Sequence, residues 1–309
     1  MLTRLFSHSK PIAYAILSMV FILAFVIENF VSSEVIVNAS MIFSKIGILL
    51  VFFLILFLLN FMVKRNKIHQ QHTYAISSLV LLIIAFPEIL RSVNLVLGYA
   101  FLLLSFRRIL SLKSNTNLKQ KILDSSLFLS ISIWFTPMHW LFVSVIYFGV
   151  IVYASQNYRH FIIPILGLAV GFVIHTSFFL ILKDEWIHFS FYLPDFSGPI
   201  EYFDNFKYNV LLGLLIGIMV WIFFQLPTIY SRAKLHESES LTLTLFFLII
   251  SIATLVLNDN TISKDAIYII WPLSIFTGSY FQLKSTKKWV VETFYLIFIS
   301  GIIFSAIYS

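Results

Sequence analysis

The 309-residue chain contains no cysteine and few charged residues, and these two shortages exclude several classes of protein. Without cysteine there is no disulfide framework, no thiolate metal site, no cysteine nucleophile and no iron–sulfur cluster. Charged residues make up only 11% of the chain, whereas hydrophobic residues make up 60%. Soluble domains have about 25% charged and about 45–50% apolar residues, and disordered chains have low hydrophobicity. The composition therefore excludes both an ordinary cytosolic globule and a disordered chain.

The sequence also lacks the short motifs of several common enzyme classes. It has no Walker loop, no GxSxG elbow, no HExxH helix and no dinucleotide-binding fingerprint, so an ATPase, a serine hydrolase or a zinc protease has no support. The longest polar connection is 183–208. We therefore expect a single transmembrane domain over 1–309, with no soluble domain.

Long apolar runs dominate what remains. A membrane-spanning helix needs about 17–25 mostly apolar residues, and eleven stretches approach this length, with an uncertainty of one helix either way. The sequence predicts an all-α polytopic membrane protein, and it leaves open whether the hairpins at Pro87 and Pro137 span fully or re-enter. The predicted spans are 11–28, 46–63, 73–89, 92–106, 122–137, 138–155, 161–182, 209–226, 241–257, 266–283 and 290–309.

The distribution of basic residues predicts the orientation of these spans, because Lys and Arg are retained on the cytoplasmic side. With the N-terminus inside, the inner side holds 16 of the 21 basic residues. The outer side holds the other five, which are Lys45, Arg91, Lys183, Lys207 and Lys264. We therefore expect the N-terminus inside and the C-terminus outside. The net charge of +7 is then a signal that keeps the basic loops on the cytoplasmic side, and we expect no binding of nucleic acid.

The predicted outer loop 183–208 is rich in both carboxylates and aromatic rings. Carboxylates can act as general acid and base, and aromatic faces beside them can bind sugar rings or isoprenoid tails. Asp184 and Glu185 follow a span directly and adjoin Trp186 and His188. The alternative is an interfacial aromatic belt with acidic residues on the outer side.

Two further carboxylates lie at predicted outer ends of spans. Glu28 opens the first outer loop, where polyprenyl-dependent membrane glycosyltransferases keep a catalytic carboxylate, and the chain resembles that class weakly. Glu88 and Arg91 are three residues apart, a spacing that lets them pair on a helix. Charges at membrane depth are costly and suggest function, whereas at the headgroup level such a pair only caps a hairpin. The catalytic candidates are Glu28, Glu88, Asp184 and Glu185.

The remaining candidates would bind substrate. His139 and His175 lie in or near predicted spans, and each serves either as a substrate contact or as a helix–helix contact. The substrate-binding candidates are Arg91, Trp186, His188, His139 and His175. The histidine spacings give no third metal ligand, so we expect no metal site, and the sequence names no cofactor.

Paired glycines predict how two of the spans pack. Gly167 and Gly171 lie on the seventh span, and Gly213 and Gly217 repeat the spacing on the eighth. Small residues four apart let helix backbones approach closely. We therefore expect the seventh and eighth spans to form a tight hairpin.

Three runs of the chain resemble a family of bacterial inner-membrane proteins. They are LNFMVKRNKIHQQHTYAI (59–76), LLLSFRRILSLKS (102–114) and QKILDSSLFLSISIWF (120–135). Members are polytopic and of similar length, and no established activity accompanies the resemblance. It implies a multi-pass protein of the bacterial inner (cytoplasmic) membrane.

These observations lead to two kinds of function. The first is an enzyme, a membrane transferase that handles a lipid-linked glycan or another lipid at the outer face. The second is a secondary transporter, or a membrane subunit or scaffold of an envelope assembly. The expected partners are the bilayer, a polyprenyl-linked or other lipid substrate, and other membrane proteins, with no nucleic acid.

Overall fold

The computed structural model describes residue 6 and residues 10–31, 39–68, 72–184, 192–193, 206–258, 262–283 and 288–307. These residues form helices and connections, with no strand among them. The prediction of an all-α fold is therefore confirmed. Most of the predicted outer loop 183–208 lies outside the described residues.

Twelve α-helices follow one another in the described part of the chain. They are α1 (Pro11–Val26), α2 (Ala39–Arg65), α3 (Tyr74–Ala85), α4 (Glu88–Arg91), α5 (Val93–Leu110), α6 (Leu118–Phe135), α7 (Val143–Ala154), α8 (Arg159–Lys183), α9 (Phe206–Arg232), α10 (Leu235–Leu257), α11 (Ile262–Phe281) and α12 (Lys288–Ile307). A π-helical turn, Ile27–Val31, continues α1. One 3₁₀ segment, Ser111–Ser114, follows α5, and another, Pro137–Phe142, precedes α7.

Seven of the described helical segments are long and apolar enough to cross a membrane. This supports a multi-pass membrane protein in contact with lipid. The seven segments are Pro11–Val31, Ala39–Arg65, Val93–Ser114, Pro137–Ala154, Arg159–Leu182, Asn209–Arg232 and Glu237–Leu257.

The other four predicted spans also coincide with helices, namely α3, α6, α11 and α12. Helix α3 has 12 residues, or about 18 Å, whereas the hydrocarbon core is about 30 Å thick. Helix α6 begins with Lys119, Lys121 and Asp124 in its first two turns, which lowers its hydropathy. The count of eleven spans and the orientation therefore remain predictions.

Unit 1 is one of two compact units into which the chain divides, and it comprises residues 1–93, 199–238 and 260–309. All residues of α11 from Asp265 to Ser279 are buried, so this helix lies inside the core of unit 1. A Cβ atom at Gly278 would lie 2.9 Å from the Cβ of Ala75 in α3, so the missing side chain lets α11 approach α3.

Unit 2 comprises residues 94–198 and 239–259. Its core joins α5, α10 and the 3₁₀ segment before α7 through three buried rings. The ring centroid of Phe247 lies 4.8 Å from that of Phe106 and 4.8 Å from that of Phe142. Buried phenylalanines of this kind make the largest single contributions to core packing.

Candidate functional site

Unit 2 contains an apolar cavity of about 480 Å³, which we call the aromatic pocket. Helices α6, α7 and α8 supply most of its wall, and Trp140 of the 3₁₀ segment before α7 and Tyr192 of the connection after α8 complete it. Ligand pockets have volumes of about 300–1,000 Å³. The lining residues are Ser130, Ile133, Trp134, Trp140, Val143, Tyr147, Ile165, Leu168, Ala169, Phe172, Val173 and Tyr192.

Two glycines of α8 bring this helix against α6 and so position the pocket wall. A Cβ atom at Gly167 would overlap the Ser126 hydroxyl, and one at Gly171 would overlap the Ser130 hydroxyl. Each serine hydroxyl donates a hydrogen bond of 2.8 Å to a carbonyl oxygen of its own helix, that of Leu123 or Leu127. Because the hydroxyls are satisfied within α6, the surface beside them behaves as apolar.

The partner of the first glycine pair differs from the one expected. The spacing predicted that Gly167 and Gly171 would pack against the eighth span, now α9. The structure places them against α6 instead. Gly213 and Gly217 of α9 have no atom within 4 Å of an added Cβ among the described residues. Small residues mark a helix face that permits close approach, but they do not specify which helix approaches it.

His175, a predicted substrate-binding residue, lies beside the aromatic pocket and connects two of its lining residues. The imidazole stacks on Trp134 with 4.4 Å between centroids and 11° between planes. Its Nδ1 forms a hydrogen bond with the hydroxyl of Tyr192. Burial raises the pKa of Tyr192 to about 12, so the phenol stays protonated at physiological pH. The pair therefore fixes Tyr192 over the pocket without adding a charge.

His139, also predicted to bind substrate, is fully buried in unit 2. Its Nδ1 lies 2.5 Å from the Ser132 hydroxyl oxygen and 3.2 Å from the Ser132 carbonyl oxygen. The Ser132 hydroxyl donates to the Gly98 carbonyl at 2.7 Å. A Cβ at Gly98 would lie 3.1 Å from the His139 ring. These contacts join α5, α6 and the 3₁₀ segment. Of the two roles expected for His139, they favour the helix–helix contact.

The predicted residues Glu28 and Arg91 meet in unit 1, in a group that we call the charged cluster (Glu28, Asn29, Lys45 and Arg91). Arg91 Nε donates to Glu28 Oε1 at 2.7 Å. Lys45 Nζ donates to Asn29 Oδ1 at 2.7 Å, and Asn29 Nδ2 donates to the carbonyl oxygen of Leu90 at 3.3 Å. Asn29 thus connects α1, α2 and α4.

The cluster forms where α1 changes to a π-helical turn, Ile27–Val31, which carries both Glu28 and Asn29. Single π-turns inside helices occur often at functional sites. The Glu88 side chain is half-buried, and Glu88 begins α4, the helix that Arg91 ends.

The predicted carboxylates of the outer loop lie apart from the aromatic pocket or outside the described residues. Asp184 is exposed at the end of α8, in the left-handed conformation with φ 52°. Its backbone N–H donates to the Leu180 carbonyl at 3.2 Å. Glu185, Trp186 and His188 lie outside the described residues. None of Glu28, Glu88 and Asp184 lines the aromatic pocket.

Among the described residues, no three His, Asp or Glu side chains come together in a way that could hold a metal ion. Comparisons with protein-family models, curated proteins and solved structures gave no match to the chain. The family resemblance of the three sequence runs therefore remains a prediction, and the site must be interpreted from its own chemistry.

Sequence reasoning missed Trp134 and Trp140 in the pocket, and Asn29 and Lys45 in the charged cluster. A signal for the first pair exists in the sequence, because both tryptophans flank the turn at Pro137. No local pattern marks Asn29 or Lys45, because their hydrogen bonds form only when α1, α2 and α4 meet.

Proposed function

We propose that the chain is a multi-pass protein of the bacterial inner membrane that binds a lipid or lipid-linked substrate, with the hydrocarbon chain in the aromatic pocket. One observation carries the proposal. The wall consists almost entirely of aromatic and aliphatic side chains, and two of its hydroxyls are bonded to protein: that of Ser130 to Leu127, and that of Tyr192 to His175.

A wall of this kind favours hydrocarbon over a polar solute. Burying apolar area stabilises a complex by about 25 cal/mol per Å², whereas a polar ligand would lose its hydration and find few hydrogen-bond partners. The rings of Trp134, Phe172 and Tyr192 supply broad flat surfaces. Such surfaces suit an acyl chain or the branched tail of an isoprenoid.

The experiment compares two substitutions on α8. Ala169 lines the pocket, and a phenylalanine in its place would occupy part of the volume. Val170 is the next residue, does not line the pocket and is 47% exposed, so Val170→Phe is the matched control. We expect native mass spectrometry to find co-purified lipid on the parent and on Val170→Phe, and much less on Ala169→Phe. Equal lipid on all three would contradict the proposal.

The proposal includes an orientation and a reaction class. In the proposed orientation, eleven helices span the membrane, with the N-terminus inside and the C-terminus outside. In the proposed reaction, the protein is a transferase that acts on a lipid-linked glycan at the outer face. Candidate carboxylates are Glu28, Glu88, Asp184 and Glu185. We expect that at least one of the four carboxylates, when changed to its amide, gives a variant that is expressed normally but no longer restores the envelope glycan of a deletion strain. Full complementation by all four variants would remove the transferase chemistry.

Secondary transport is the second candidate, and the charged cluster favours it. Glu28 and Lys45 lie inside the first two candidate spans, and charged residues in spans mark ion and substrate pathways. If the protein is a transporter, Glu28→Gln should abolish uptake of the transported solute and leave the amount of co-purified lipid unchanged. A transferase would lose product instead, so measuring both quantities on this variant separates the two functions. A scaffold would lose neither.

A further inference from the structure

Helix α2 of unit 1 ends in a concave surface that contains both cations and aromatic rings. Phe57, Asn60, Phe61, Lys64 and Arg65 line a cavity of about 380 Å³, which we call the α2 basic groove. Their spacing places all five on one face of the helix. Phe57 and Phe61 stack with 6.2 Å between centroids, so the groove has an apolar half followed by a cationic half.

Both cations are held in place by neighbouring groups. Lys64 Nζ donates to the Tyr14 hydroxyl at 3.1 Å and lies 5.5 Å from the centre of the Tyr14 ring. Tyr14 in turn donates to Asn60 Oδ1 at 3.3 Å. The Arg65 guanidinium lies 5.5 Å from the centre of the Phe61 ring. Because the tyrosine and phenylalanine rings position these charges, a ligand would lose little side-chain entropy by binding them.

No carboxylate compensates these two charges in the described part of the chain. Neither Lys64 nor Arg65 forms an ion pair there, and the sequence has no acidic residue before Glu28 or between Glu34 and Glu88. Lys67 adds a third positive charge just past the end of α2. The groove therefore carries a net positive charge beside an exposed aromatic surface.

We propose that the α2 basic groove binds an anionic membrane lipid, with the phosphate between Lys64 and Arg65 and the start of the hydrocarbon chain on Phe57 and Phe61. Basic pockets at the ends of membrane helices bind anionic headgroups. The stacked rings would bind the hydrocarbon chain of a lipid, which inorganic phosphate lacks. This site lies in unit 1 and does not depend on the aromatic pocket of unit 2.

The experiment measures the melting temperature of the purified full-length chain in detergent during titration with phosphatidylglycerol, phosphatidylcholine or inorganic phosphate. We expect a saturable rise that is larger with phosphatidylglycerol than with phosphatidylcholine, whose chains can enter only the aromatic pocket, and no rise with inorganic phosphate. Each cation near an anionic lipid contributes about 1 kcal/mol, so the double variant Lys64→Gln/Arg65→Gln should bind phosphatidylglycerol roughly 25-fold more weakly.

Two further variants keep the outcome interpretable. Arg159→Gln is the matched control, because Arg159 is also exposed and lies 6.0 Å from the centre of a tyrosine ring, that of Tyr158 in unit 2. It should keep the full effect. Phe57→Ala changes a side chain that is 61% exposed, so it should fold and bind the lipid more weakly. An equal rise in the double variant, or an equal rise with inorganic phosphate, would overturn the proposal.

Discussion

Gly171 of α8 lies so close to Ser130 of α6 that a Cβ atom on the glycine would overlap the serine hydroxyl. Gly167 has the same relationship to Ser126 one turn earlier. These two contacts let α8 pack against α6, and Ser130 itself lines the aromatic pocket. The pocket wall therefore depends on two positions that have no side chain.

The first prediction concerns this close approach. Gly171→Leu must separate α8 from α6, and overpacking of this kind costs about 1–3 kcal/mol. Gly213→Leu in α9 is the matched control, because nothing lies within 4 Å of an added Cβ there. We expect thermal unfolding in detergent to show a lower melting temperature for Gly171→Leu and an unchanged one for Gly213→Leu. Equal melting of the two variants would mean that the α6–α8 contact is loose.

The second prediction concerns orientation. Since most basic residues fall on one side of the predicted topology, reporters fused after Lys67, Lys121 and Lys234 should be cytoplasmic. Fusions near Ser197 and at Ser309 should be external. A cytoplasmic reporter at Ser197 would reverse the assignment, whereas one at Ser309 alone would mean that one helix has been miscounted.

The sequence predicted where helices form but not which helices meet. Every predicted span coincides with a helix because hydropathy is a property of the local chain. The contact of Gly171 with Ser130 and the ion pair of Glu28 with Arg91 join segments that are far apart in sequence. A small side chain or a charge indicates that a partner is needed, but the partner itself is set by the tertiary fold.

The third prediction follows from His72, which precedes α3 and is 9% exposed. Burial lowers the pKa of His72 below its ordinary value of 6.5, and the hydrogen bond to Gln282 opposes this shift only in part. The folded state therefore disfavours the charged imidazole. Its contribution to stability is complete above pH 6.5 and is lost as the pH falls below that value.

The measurement is the melting temperature as a function of pH for the parent and for His72→Gln. We expect the parent to lose more stability than the variant between neutral pH and about pH 5, because only the parent takes up this proton on unfolding. Parallel curves for the parent and His72→Gln would show that His72 titrates normally.

The fourth prediction separates a backbone role of Asp184 at the end of α8 from a functional role of its carboxylate. Its φ of 52° lies in the left-handed region, which Asp and Gly adopt more readily than β-branched residues. Asp184→Gly should therefore melt like the parent, whereas Asp184→Val should lose about 1–2 kcal/mol. A lower melting temperature for the glycine variant would contradict this reading. Loss of the glycan phenotype in a glycine variant of normal stability would assign the carboxylate to function.

The most direct test of the central claim is photo-crosslinking with a phospholipid that carries a diazirine at the end of one chain. We predict adducts in peptides that contain Trp134, Trp140 and Phe172, and loss of these adducts in Ala169→Phe but not in Val170→Phe. Phe223 of α9 is 69% exposed and reports unspecific contact with bulk lipid. Adducts at Phe223 without adducts at the three pocket residues would contradict a lipid chain in the aromatic pocket.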